Sequence, residues 1–184
     1  MKKLAIFISR LFDVFLEIPV ILLLATQLVQ TNISWQKIYL ISFFFIFLLP
    51  ILCFLFFLKK KIITDWDVTK REERYGIFSF TFLSIIICLT TFYLLNEKAL
   101  LLFYIKLFLP IFIFFFITFF WKISGHMLVN TIFILLLYLY INKSIILYLG
   151  IILLLLVGWA RINLKKHTLV QVVCGTLLPL LILI

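Results

Sequence analysis

The sequence predicts an all-α membrane protein, a polytopic bundle of about six to seven transmembrane helices. Hydrophobic residues make up 66% of the chain, whereas soluble domains contain about 45–50%. Runs almost free of charge recur along its length, and runs of about 18 or more are typical of membrane-crossing helices. These runs do not alternate between apolar and polar residues as barrel strands do. Helices must therefore satisfy the backbone hydrogen bonds within lipid.

Seven apolar segments account for most of the 184 residues. The first has an alternative, because Asp13 and Glu17 fall near its start: residues 1–17 would then lie along the membrane surface as an amphipathic helix. The last three segments are short, and we expect their ends to extend into the loops. The whole chain, 1–184, is predicted to form a single membrane domain. The segments lie at about 11–30, 38–58, 77–96, 99–121, 127–142, 144–160 and 168–184.

The loops between these segments divide into two sets, one at each membrane face. The set called side A comprises the N-terminus and the loops 59–76, 122–126 and 161–167. Side A carries 13 of the 17 lysines and arginines, so the positive-inside rule predicts that it faces the cytoplasm. In a soluble protein, a formal net charge of +10 would suggest nucleic acid. Here the charge follows the loops, so we expect no nucleic-acid partner; the bilayer and its phosphate headgroups are the predicted partners.

Almost every polar residue capable of chemistry also lies on side A. Three clusters, DWDVTKREERYG, WKISGH and ARINLKKH, are each separated from the next by two apolar segments. An even number of crossings returns the chain to the same face. The three clusters are therefore predicted to meet at one membrane surface.

The first of these clusters contains cations and carboxylates at close spacing. Arg74 follows Lys70 by four residues and Arg71 by three, so a helix here would point two cations at one anion. The alternative is a solvated charged loop. Asp65 and Asp67 are too few ligands to indicate a metal site, and the three scattered cysteines show neither metal nor disulfide spacing. No metal or other cofactor is predicted.

The second cluster places Ser124 and Gly125 just before a predicted helix and His126 at its start. Helix N-termini present free N–H groups that bind anions such as phosphate, and glycine lets the backbone approach a ligand closely. The alternative is an ordinary helix cap, because serine is a favoured N-cap residue.

The third cluster combines a histidine, an amide and several cations. His167 and Gln171 are four residues apart, so they share a helix face. Neutral imidazole is a nucleophile or base near neutral pH, and the guanidinium of Arg161 is suited to bidentate binding of phosphate. Anchoring by positive charge explains Lys165 and Lys166. It does not explain His167 and Gln171 at the start of a span.

Taken together, the three clusters resemble the motifs of the type 2 phosphatidic acid phosphatases, the lipid-phosphatase branch of the superfamily that includes the vanadium haloperoxidases. Those motifs are a lysine followed after six residues by Arg-Pro, then Pro-Ser-Gly-His, then Ser-Arg, five residues, His, three residues and Asp. Arg74 stands at the first motif's arginine. Ser124-Gly125-His126 match the second motif, and Arg161 with His167 match the third at its spacing. The resemblance covers about residues 65–175.

The chain also departs from that family pattern. Asp67 stands where the first motif has its lysine, and Lys70 or Arg71 is a candidate for supplying the missing charge. Gln171 stands where the family has an aspartate that orients the nucleophilic histidine. A glutamine carbonyl can accept a hydrogen bond from the imidazole, but it cannot stabilise an imidazolium with a full charge. The remaining departures, at two prolines and a serine of the pattern, are Tyr75, Ile123 and Ala160.

The resemblance implies a lipid phosphatase that works without metal. His167 would attack phosphorus to form a phosphohistidine, with Gln171 beside it, and His126 would protonate the leaving oxygen. The phosphate would be held by Arg74, Ser124, Gly125 and Arg161, with Lys70 as the substitute cation.

Two functions from different classes follow from these observations. One is a membrane hydrolase that acts on a lipid phosphate or diphosphate. Polyprenyl diphosphate is the preferred substrate, and phosphatidic acid and phosphatidylglycerol phosphate are the alternatives. The other is a noncatalytic protein that keeps the pocket to bind a lipid phosphate, which Asp67 and Gln171 favour. A small transporter has little support, because Lys106 is the only ionisable residue well inside a span. Many bacterial members of the family are expected to work on the outer face, whereas the loop charges here predict the cytoplasmic face.

Overall fold

The computed structural model describes residues Met1–Ile184 and is entirely helical. Nine α-helices follow one another, and a π-helical stretch, Phe43–Leu48, joins the third to the fourth. The predicted fold class, an all-α bundle, is confirmed. The helices are α1 (Lys2–Leu11), α2 (Val14–Gln27), α3 (Trp35–Ser42), α4 (Leu49–Lys59), α5 (Arg74–Leu94), α6 (Lys98–Phe120), α7 (Gly125–Ile141), α8 (Ile145–Asn163) and α9 (Leu169–Leu183).

Several of these helices have the length and composition of membrane spans, so the chain is an integral membrane protein. Helices α7 and α9 are apolar but shorter, with 17 and 15 residues. They correspond to the fifth and seventh predicted segments, which are short in the sequence as well. The four segments long and apolar enough to cross a bilayer are Trp35–Lys59, Arg74–Leu94, Lys98–Phe120 and Ile145–Asn163.

The first long span, Trp35–Lys59, is continuous although its helix type changes along its length. Pro50 has no N–H to donate and lies in the first turn of α4, and the π-helical stretch directly precedes it. A change of helix type is one way in which a backbone accommodates a missing hydrogen bond. The hydroxyl of Ser84 on α5 also donates to the carbonyl of Phe45 within the π-helical stretch.

The N-terminal residues form two helices that meet at a sharp turn. Helix α1 combines Lys2 and Lys3 with exposed apolar residues, the composition expected of a helix at a membrane surface, but it ends at Leu11 and not near residue 17. Asp13 then begins α2, because its carboxylate accepts a hydrogen bond from the backbone N–H of Phe15 at 3.1 Å. Helix α1 packs against α8.

Helix α7 lies at the centre of the bundle and contacts α2, α6, α8 and α9. Glycine permits close approaches to α7. A Cβ atom on Gly175 of α9 would lie 2.6 Å from the carbonyl oxygen of Ser124. The middle of α9 therefore packs directly against the backbone that leads into α7.

The three polar clusters lie together at one end of the bundle, as the count of crossings predicts. Arg161 at the end of α8 contacts Asp67 at 3.3 Å. The backbone N–H of Ser124 donates to the carbonyl of Gln171 at 3.2 Å. That the clusters meet is confirmed; which side of the membrane this end faces stays a prediction.

The helix that could have aligned Lys70 and Arg71 with Arg74 is absent, and the structure has the alternative, a charged loop. Residues 60–73 form turns, and α5 begins only at Arg74. The carboxylate of Asp65 accepts hydrogen bonds from the backbone N–H groups of Asp67 and Thr69 and from the Thr69 hydroxyl. Such side-chain bonds compete with helix formation.

Candidate active site

A cavity of about 230 Å³ lies at the end of the bundle where the polar clusters meet. Most of its walls are apolar side chains of α2, α5, α6 and α7, and it extends as far as Leu107 and Phe108 in α6. Its polar end is formed by residues from separate parts of the chain. The predicted site residues that line it are Arg74, Gly125, His126, Arg161 and His167.

His167 lies in the turn before α9, and Gln171 determines which ring nitrogen carries its proton. The Nδ1 atom of His167 is 3.2 Å from Oε1 of Gln171. The same Gln171 atom accepts the backbone N–H of Thr168 at 3.1 Å, so it must be the amide oxygen, which can only accept. The proton of the neutral ring therefore sits on Nδ1. Nε2 keeps its lone pair, as a nucleophile requires.

The surroundings of His167 also keep the ring neutral. Burial lowers its pKa to about 3, and the positive charges of Arg161, Lys122 and Arg74 act in the same direction. An imidazole with so low a pKa is unprotonated at pH 7. His167 is thus a free base next to a group of cations.

The start of α7 supplies backbone donors to the cavity wall. The side chain of Ser124 accepts the backbone N–H of Met127 at 3.5 Å and caps the helix, as the simpler interpretation of the sequence expects. Ser124 does not line the cavity, whereas Gly125 and His126 do. The first N–H groups of a helix have no partner within it, so this end of α7 is suited to an anion.

Three buried nitrogen atoms around the cavity have no hydrogen-bond partner. They are Nη1 of Arg74, Nε of Arg161 and Nε2 of His126. The other nitrogens of the arginines are partly used: Nε of Arg74 donates to the carbonyl of Val68 at 2.9 Å, and Nη1 of Arg161 donates to Ser9 at 2.8 Å. Buried polar atoms without partners are rare and costly. A bound anion would satisfy all three.

Asp67, at the position where the motif resemblance leads us to expect a lysine, places a carboxylate beside these nitrogen atoms. Its Oδ1 lies 3.3 Å from Nη1 of Arg161, and its Oδ2 lies 3.1 Å from Nζ of Lys166. Burial opposes ionisation of Asp67, but Arg161, Lys166 and His126 outweigh it and lower the pKa of Asp67 to about 2. The protein thus carries its own anion at the edge of the site.

Besides Ser124, two further predicted site residues, Lys70 and Gln171, do not line the cavity. Lys70 is exposed and pairs with Glu73 at 3.1 Å. Arg71, the other candidate for the missing charge, donates to the carbonyl of Phe120. Gln171 also does not line the cavity, and it acts on the site through His167.

Sequence reasoning missed Lys166, Ser9 and Asp13. Lys166 resembles a membrane anchor in the sequence, but it connects two loops through Thr69 at 2.7 Å and Asp67. Ser9 bonds Arg161. Asp13 lines the cavity, with Oδ2 3.8 Å from Nε2 of His126. The one available signal for Asp13 is a carboxylate at the start of an apolar segment.

The fold and the cavity define a class of protein: an integral membrane helical bundle with a cavity at one end that is lined by buried arginine and histidine side chains. In a comparison with protein families, residues 112–184 match the model of the PAP2 superfamily. The match includes the second and third clusters and confirms the resemblance found in the motifs, to a family of membrane phosphatases. The first cluster lies outside it. Comparisons with curated proteins and with solved structures found no match.

Proposed function

We propose that this protein is an integral membrane phosphatase that removes phosphate from a lipid phosphate or diphosphate through a phosphohistidine on His167. The observation that supports this most strongly is the convergence of unpartnered buried atoms of Arg74, Arg161 and His126 on one cavity. His167 lines the same cavity with Nε2 free to attack. A dianionic phosphate matches both the charge and the donors of this site.

The proposed reaction has two steps. In the first, Nε2 of His167 attacks phosphorus, the bond to the lipid oxygen breaks, and His126 gives that oxygen a proton. In the second, water attacks the phosphohistidine, His126 takes a proton from the water, and phosphate leaves. Arg74, Arg161 and the N–H of Gly125 hold the equatorial oxygens, where phosphoryl transfer concentrates charge.

The apolar part of the cavity supports a lipid substrate. It begins directly beside the polar end and runs into the bundle between α2, α5, α6 and α7. At about 230 Å³, it is smaller than the roughly 300–1,000 Å³ of common ligand pockets. This favours a slender single chain within the protein and keeps polyprenyl diphosphate as the preferred substrate over the two-chain alternatives, phosphatidic acid and phosphatidylglycerol phosphate.

A noncatalytic lipid-phosphate-binding protein is the second candidate. Asp67 favours it, because this carboxylate already pairs with Arg161. Gln171 favours it as well, since a neutral partner stabilises a charged intermediate at His167 less than a carboxylate does.

Phosphate release from purified protein separates the two candidates. We expect turnover of at least one of the three lipid classes in the presence of EDTA, and loss of this turnover in His167→Ala. Lys165→Gln is the matched control, because Lys165 is an exposed cation in the same loop. Binding of all three lipids without phosphate release would contradict the proposal and support the noncatalytic alternative.

A further inference from the structure

Asp13 is a cavity residue that belongs to none of the three motif clusters. Its carboxylate is buried, with the residue 5% exposed. Oδ1 accepts the backbone N–H of Phe15, and Oδ2 accepts a hydrogen bond from Arg10 at 3.2 Å. The same Oδ2 lies 3.8 Å from Nε2 of His126. Capping of α2 explains the contact with Phe15 but not the contact with His126.

The charges around His126 single out Asp13 as its available carboxylate. Burial lowers the pKa of His126 and Arg161 of α8 acts in the same direction, whereas Asp13 and Asp67 act to raise it. Asp67 is already paired with Arg161 and Lys166. Asp13 has only Arg10, whose side chain is 48% exposed and therefore screened by solvent. Glu17 lies one turn further along α2, and neither of its carboxylate oxygens has a partner.

The 3.8 Å separation suits a group that assists a proton donor. It is too long for a hydrogen bond, so the Nε2 proton is not committed to Asp13 and remains free for a leaving oxygen. It is still short enough for a strong charge interaction in a buried site. A buried imidazolium needs such a neighbour, because burial alone disfavours the charged form.

We propose that Asp13 is the positioning residue of the general acid: its carboxylate balances the positive charge of the His126 ring before proton transfer. This inference rests on the proposed function. When the bond between phosphorus and the leaving oxygen breaks, its electron pair goes to that oxygen, which takes the Nε2 proton. His126 becomes neutral, and Asp13 keeps its charge throughout. The carboxylate of Asp13 thus lies beside the general acid, His126, whereas the neighbour of the nucleophile, His167, is the neutral amide of Gln171.

The variant Asp13→Asn separates this role from helix capping. Asparagine is as good an N-cap residue as aspartate, so α2 and the fold should be retained while the charge is lost. Arg10→Gln is the matched control, because it removes the other charged partner of Asp13 and leaves the carboxylate beside His126.

Two substrates with different leaving groups provide the test. Decyl phosphate releases an alkoxide that needs a proton, whereas p-nitrophenyl phosphate releases a stable phenolate. General acid catalysis contributes about 10²–10⁴-fold. We therefore expect Asp13→Asn to lower kcat on decyl phosphate by roughly tenfold or more, and kcat on p-nitrophenyl phosphate by less than about threefold. Arg10→Gln should leave the ratio of the two rates unchanged.

The double variant Asp13→Asn/His126→Gln adds a second criterion. If Asp13 acts through His126, the double variant should be no slower on decyl phosphate than His126→Gln alone. Equal losses on both substrates in Asp13→Asn, no loss on either, or additive losses in the double variant would overturn the role of Asp13 and leave the proposed function standing. A wild-type protein that hydrolyses neither these substrates nor the lipid phosphates would overturn both.

Discussion

Replacing Gln171 by glutamate changes one property of the site and keeps the others. The side chain retains its length, so an oxygen can remain 3.2 Å from Nδ1 of His167 and still accept the backbone N–H of Thr168. Glutamate is also favoured at this position of a capping box and in the first turn of a helix. What it adds is a full negative charge beside the ring that becomes positive as Nε2 attacks phosphorus.

The expected increase in kcat follows from the short distance between the new carboxylate and the His167 ring. A carboxylate this close raises the pKa of an imidazole by about 1–3, which corresponds to about 1.4–4 kcal/mol of preference for the charged ring. The pKa of His167 would then rise from about 3 to between about 4 and 6, so the ring is still the free base at pH 7. If the lower end of that energy applies in the transition state, kcat rises about tenfold.

Phosphate release from the preferred lipid at pH 7 measures this effect. We expect kcat of Gln171→Glu to rise by about tenfold or more with little change in KM. Gln171→Met keeps the bulk of the side chain but leaves the Nδ1 proton without an acceptor, and it should lower kcat. Unchanged or reduced kcat in both Gln171→Glu and Gln171→Asp, in folded protein, would refute the proposed role of His167 as the group that becomes positively charged.

Three further predictions concern the loops and the packing. The pKa of Asp67 is lowered to about 2, so its carboxylate stabilises the fold above its ordinary pKa and loses about 2 kcal/mol of that stabilisation as pH falls from about 4 to below 2. The Tm of Asp67→Asn should therefore depend less on pH in this range than the Tm of the wild type. Added inorganic phosphate should also raise the Tm of this variant more than that of the wild type. Identical pH profiles would contradict the ion pair between Asp67 and Arg161. Gly175→Val places a Cβ 2.6 Å from the Ser124 carbonyl and should lower Tm and activity together, whereas Val173→Ala on the exposed side of α9 should not; a normal Tm for Gly175→Val would contradict the close packing of α9. In a cysteine-free protein in intact cells, an impermeant maleimide should label Lys143→Cys but not Ile62→Cys if side A faces the cytoplasm; the opposite pattern would place the site outside.

The sequence predicts the helices and the meeting of the clusters well, because both depend on strong and simple physical constraints. Apolar runs of span length have few alternatives to helices in lipid, and the parity of crossings determines which loops share a face. The spacing within the third cluster also carries information, since Arg161, at the end of one helix, and His167, just before the next, are separated by a single short turn.

Other parts of the site depend on side-chain contacts that no short sequence pattern encodes. The turns of residues 60–73 follow from the side-chain bonds of Asp65, which override the helical spacing of Lys70, Arg71 and Arg74. Asp13 reaches His126 only because α1 ends at Leu11 and the chain turns into the bundle. Gln171 is predicted as a hydrogen-bond acceptor for His167, but its second bond, to Thr168, fixes the tautomer and becomes visible only in the structure.

Trapping the covalent intermediate tests the proposed chemistry at the reacting atom. The protein would be mixed briefly with a lipid carrying ³²P in its terminal phosphate, in EDTA, and stopped in alkaline detergent, because phosphohistidine is labile to acid. We predict a label that is stable to alkali, is lost in acid and maps to the peptide containing His167, and that is absent in His167→Ala. Phosphate release that continues in His167→Ala, or a label on any other residue, would contradict a phosphatase that uses His167 as its nucleophile.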